Sequence, residues 1–161
     1  MSKGDANLRE KIQAWLMVEG FSLSELTVPE AQWAIHASRE PGPTLVVGLN
    51  RKPEDQLRIQ ATVGVDPQHK AALSALSSQE RVAFLWDLRF SLLQLGVDFE
   101  GVTDQPEQIA LVKHLYLDGL SKNAFMNAAA LVRNGVLLTI WSFRRRFSSE
   151  PGPAESHAAV N

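Results

Sequence analysis

The sequence predicts an α+β domain: an antiparallel sheet of about five strands with helices on one face, in the order α-βββ-α(α)-ββ-α. Three observations carry this. Residues 56–65 alternate strictly, Leu57, Ile59, Ala61, Val63 and Val65 against Gln56, Arg58, Gln60, Thr62 and Gly64, the period of two of a strand with one buried and one wet face. Short turn sequences, EPGP at 40–43 and RKPED at 51–55, separate three strand patterns, as in an antiparallel meander. Helical periodicity marks both ends of the chain.

Taken in order, residues 7–20 form a helix with Leu8, Ile12, Trp15 and Leu16 on one face. Asp5 or Asn7 caps its start, and Gly20 supplies a left-handed C-terminal cap. The passage FSLSELTVPEA that follows is irregular or extended, interrupted by Pro29. Strands are expected over 32–39, with Trp33, Ile35 and Ala37 on one face, over 44–50 and over 56–65. Asp66 and Pro67 then suit the first turn of a short helix ending near Leu76. Ser77 stands three before Glu80, a capping-box pattern, and opens a helix that runs to Leu95 and stops at Gly96. Val82, Leu85, Trp86, Leu88, Leu92, Leu93 and Leu95 give it a wide apolar face. Two further strands fit 97–102 and 108–117, and Ser121 caps a long last helix over 122–146. Its stripe is Phe125, Ala129, Val132, Val136, Ile140, Phe143 and Phe147. We expect one domain over 1–147 and a disordered tail over 148–161, which is small, polar and Pro-rich.

Composition narrows the function. The tail holds Glu150 and Glu155 and no Lys or Arg, so the body carries 16 basic and 16 acidic residues. A neutral body does not suit a general polyanion binder, and nucleic acid is not an expected partner. With no cysteine, disulfides, thiol catalysis, iron–sulfur clusters and the usual structural zinc sites are excluded. The N-terminal MSKGDANLREK has no apolar signal region behind it. No apolar run approaches the roughly 18–20 residues of a membrane span. The expectation is a cytoplasmic chain with no membrane partner.

The stretches LREKIQAWLMVEGF, WAIHASREPGPTLVVGLNRKPEDQLRIQATVGV, SQERVAFLWDLRFSLLQLGVDFEGV and IALVKHLYLDGLSKNAFMNAAALVRNGVLLTIW follow one another in an order of elements that resembles the type III secretion chaperone-like fold. More specifically, the chain resembles an uncharacterised prokaryotic branch of small proteins of that fold. The resemblance covers most of residues 7–147. It implies a dimer that holds segments of a partner protein, and it implies no catalytic residue.

Candidate sites are few. Antiparallel pairing of the two late strands would place Asp98, Glu100 and His114 on one sheet face, where acid–base chemistry would need them gathered in a pocket; otherwise the three lie on a solvated outer face. His36, His69, His114 and His157 lack metal spacing, and VGVDPQHK lacks the glycines of a phosphate-binding turn, so no metal or cofactor is expected. Met126, Ala130, Arg133, Leu137 and Trp141 give the last helix a second face, apolar but for Arg133, read as a homodimer or partner contact. Arg144, Arg145 and Arg146 sit where cations favour the negative end of the helix dipole, and they offer a contact for an acidic partner. The function expected is that of a non-enzymatic, dimeric adaptor or chaperone-like module with an unidentified protein partner. The alternatives are an enzyme using Asp98, Glu100 or His114, and nucleic-acid binding through Arg144, Arg145 and Arg146.

Overall fold

The computed structural model describes residues 3–148. Helix α1 (Lys3–Val18) leads into strands β1 (Ser22–Leu26), β2 (Ala31–Ser38), β3 (Leu45–Asn50) and β4 (Gln56–Gly64). Helices α2 (Pro67–Ala75) and α3 (Ser78–Leu95), strands β5 (Asp98–Glu100) and β6 (Gln108–Tyr116), a 3₁₀ turn (Leu117–Gly119) and helix α4 (Lys122–Phe147) follow. The strands form one antiparallel sheet in the order β1-β2-β3-β4-β6-β5, so the α+β class read from the sequence is the one adopted.

The sheet has six strands rather than five. The extra one, β1, lies in the passage expected to be irregular or extended, which was not counted as a strand. Its sequence, SLSEL, is poor in the β-branched and aromatic residues that mark a strand. Pairing makes it one: Ser22 stands opposite Ser38 and Leu26 opposite Ala34 on β2. At the sheet edge it remains largely exposed.

The chain divides into two compact units. The first comprises residues up to Ala61 together with Val112–Arg133; the second comprises Thr62–Leu111 and the chain from Asn134 onward. In the first, β4 buries Leu57, Ile59 and Ala61 and leaves Gln56, Arg58 and Gln60 half-buried, the alternation its sequence dictates. Register pairs Val47 with Ile59 and Leu49 with Leu57. Ile12 and Leu16 of α1 and Phe125 of α4 are fully buried.

In the second unit the local signals take the forms expected of them. Asp66 accepts a hydrogen bond from the Gln68 N–H at 2.8 Å. Ser77 and Glu80 close a reciprocal capping box, and Gly96 ends α3 at φ 88°. Lys70 donates to Glu107 and its charge lies beside that carboxyl, which is held below its ordinary pKa. Buried Thr139 donates back to the Gly135 carbonyl at 2.8 Å.

Gly101, just past β5, has φ 88°, and a Cβ there would lie 2.1 Å from the Gln108 carbonyl oxygen. Positive φ disfavours an L-residue by about 1–2 kcal/mol, and the collision is with backbone, which cannot swing aside. Gly101→Ala is therefore expected to lower the denaturant midpoint by more than that conformational term alone, whereas Gly64→Ala, where a Cβ meets nothing within 4 Å, serves as the control.

Candidate functional site

A groove of about 150 Å³ opens in the first unit. One wall is α4, whose exposed side there steps through Met126, Ala130 and Arg133; small Ala129 and Ala130 leave room above the backbone. The other wall is the turn from β2 into β3, residues 40–43, with Leu45. Phe21 and Arg39 complete it. The β1–β2 register explains their meeting, because Ser22 opposite Ser38 makes Phe21 and Arg39 neighbours. The Arg39 guanidinium lies 4.4 Å from the centroid of the Phe21 ring and donates to the Glu19 carbonyl at 2.7 Å. Cation–π contact and hydrogen bond together fix its position. Arg133 is exposed and makes no hydrogen bond or ion pair among the described residues.

A second surface lies on α3, in the second unit. Leu85, Leu88 and Leu92 are buried. On another side, at steps of four, four and three, Val82, Trp86, Phe90 and Leu93 are 44%, 50%, 55% and 68% exposed. The wide apolar face expected of this helix is thus two faces, one inside and one in solvent. Trp86 has two neighbours on its own helix: its ring lies 5.6 Å from that of Phe90, and the Arg89 guanidinium sits 4.8 Å over it while donating to the Val102 carbonyl.

With these surfaces in place, the comparison with known proteins is specific. Residues 8–143 match the family described as uncharacterized conserved protein (DUF2299). The chain belongs to this family. An uncharacterized protein from Methanothermobacter thermautotrophicus, known from its crystal structure, is 27% identical, with a TM-score of 0.79 over 86% of this chain and 98% of that one. YbjN from E. coli, whose crystal structure is described as that of a proposed transcription regulator, is 17% identical, with a TM-score of 0.45 over 92% of each chain. Neither is described as a secretion chaperone. No curated protein matches the sequence. The DUF2299 match contains both the groove and the α3 stripe and ends before Arg144.

The sites expected from sequence fall as follows. Met126, Ala130 and Arg133 come together in the groove, whereas Leu137, half-buried, and Trp141, 45% exposed, do not line it. Arg144, Arg145 and Arg146 are exposed in the last turn of α4. Next to them Phe143 is buried and Phe147 half-buried, both edge-on to Phe84 at 5.1 and 5.2 Å. Ser148 Oγ lies 2.7 Å from His69 Nε2; the remainder of the expected tail, 149–161, lies outside the described residues, as does His157. Asp98 and Glu100 are exposed on β5 and His114 is half-buried on β6, all three with interaction partners and none lining the groove. Among the described residues no three His, Asp or Glu side chains are grouped to hold a metal ion.

Sequence reasoning passed over Arg39, Phe21 and the outer face of α3. The first two needed β1 to be recognised. For α3 a signal was present: Phe90 falls off the inner stripe. Among the described residues α4 is long and apolar enough, by length and average composition, to cross a membrane, a different measure from the continuous apolar run sought in the sequence. Asn127, Arg133 and Asn134 interrupt any continuous apolar run but not the average. Its Phe125, Val132, Val136 and Phe143 are buried within the protein, as in a core helix.

Proposed function

We propose that this protein is a non-enzymatic binding module that holds a segment of a partner protein against the outer face of α3. The observation that carries this reading is the exposed stripe of Val82, Trp86, Phe90 and Leu93. Scattered exposed apolar residues need no explanation, but two aromatics and two aliphatics in one line on one helix do. An aromatic side chain offers roughly 150–250 Å², so these four half-exposed residues leave a patch on the order of 400 Å². A standard interface takes about 800 Å² from each partner. The stripe alone is therefore small for a stable homodimer and suits one short amphipathic segment presenting its apolar face. The resemblance to chaperone-like proteins supports the same kind of role, and a chain without cysteine suits the cytoplasm.

The test is selection from a phage-displayed library of random peptides, about twelve residues long, on the wild type and on the double variant Trp86→Ser, Phe90→Ser. Clones with apolar residues at helical spacing are expected to be enriched on the wild type and lost on the variant. Enrichment of the same clones on both proteins, or of none on either, would sink the reading.

A further inference from the structure

We infer that the groove between α4 and the 40–43 turn is a second recognition site, which takes an acidic side chain, with an apolar neighbour, from a partner segment. The inference rests on the binding-module reading but on a different surface. Charge is the first ground. Two guanidinium groups, Arg39 and Arg133, line the groove against one carboxylate, Glu40, which is exposed on the turn. Arg39 is already oriented by Phe21 and by the Glu19 carbonyl, so little side-chain freedom is lost when it binds. Arg133 has no hydrogen-bond or ion-pair partner among the described residues. A planar guanidinium fork of this kind recognises carboxylate with two parallel hydrogen bonds.

Size and lining decide the rest. Small-molecule sites occupy roughly 300–1,000 Å³, whereas this groove holds about 150 Å³, room for a side chain or two. Its other walls are apolar: Leu45, Met126 and Ala129, with Phe21 beneath Arg39. An aliphatic stem ending in a carboxylate matches apolar walls with cationic ends. A phosphodiester chain does not, since it needs a run of uncompensated cations and the body is neutral.

The same peptide selection, repeated on the full-length Arg133→Glu variant, tests the inference. Arg133 is exposed and has no hydrogen-bond or ion-pair partner among the described residues, so its replacement is expected to leave the fold intact, which a thermal melt verifies. Among clones enriched on the wild type, one class is expected to carry Asp or Glu beside an apolar residue. These peptides, synthesised, should lose at least tenfold in affinity on Arg133→Glu and when their acid is changed to Gln or Asn. Arg133→Lys should fall between. Acidic clones bound equally by Arg133→Glu, or no acidic class at all, would overturn the inference. Acidic clones lost only on the Trp86→Ser, Phe90→Ser variant would also overturn it while leaving the α3 reading standing. Loss on Arg133→Glu with retention on the α3 variant supports the groove alone. A synthetic peptide of residues 149–161, which carries Glu150 and Glu155, is the competitor. If it displaces the selected peptides from the wild type at equal concentration, the occupant is the chain's own tail and the assignment to a partner is wrong.

Discussion

Phe125→Ala is expected to remove about 3–5 kcal/mol of stability, a large part of the roughly 5–15 kcal/mol that a domain has. Phe125 is among the largest side chains with no exposed surface. Its ring lies 5.9 Å from that of Trp15 on α1, tilted by 41°, so truncation removes an aromatic contact as well as buried area. It stands in the first turn of α4, where its N–H bonds to the Ser121 carbonyl and the Ser121 hydroxyl accepts from the Ala124 N–H at 3.0 Å. A capped first turn cannot shift to fill the space, and the neighbouring turn offers only Ala128 and Ala129. The cavity term should therefore add nearly in full to the lost transfer energy. Chemical denaturation would show a lower midpoint with an unchanged slope. A loss below about 1 kcal/mol would mean that the site collapses around the deletion.

Where a feature depends on residues close in sequence, it was legible. The capping box at Ser77 and Glu80, the Asp66 cap and the left-handed Gly96 each rest on a few adjacent residues. The alternation of β4 reports its own burial. Features that depend on pairing between distant residues were not. Strand β1 has no propensity of its own and exists through β2, and with it went the meeting of Phe21 and Arg39. Helix α3 shows a different limit. Periodicity marks apolar positions, yet Leu85 and Trp86, adjacent in sequence, end in opposite environments because only one sector of the helix is covered. On α4 the second face was legible, since Met126, Ala130 and Arg133 recur at helical spacing, and so was the turn at 40–43; that the two meet to make a groove was not.

Truncating Trp86 to alanine should weaken binding of an α3-directed peptide by about 2 kcal/mol or more, at least thirtyfold, without loss of stability. Truncation of Phe125 and truncation of Trp86 thus act on opposite quantities. Half of the Trp86 surface is in water already, so its loss leaves no sealed cavity, and removing exposed apolar area has little effect on the folded state. The bound state differs. With the Phe90 ring and the Arg89 guanidinium both against it, the indole is ordered before a partner arrives, and little rotamer entropy remains to be lost on contact. Such an aromatic anchor at the centre of a small patch carries a disproportionate share of affinity. Leu93→Ala, at the end of the stripe, should have a smaller effect despite its greater exposure of 68%, because a residue at the rim stays partly hydrated in the complex. Titration of one selected peptide against wild type, Trp86→Ala and Leu93→Ala separates the cases. Equal losses for the two variants would mean that binding follows exposed area rather than the held indole, and the assignment of Trp86 as the anchor would fall.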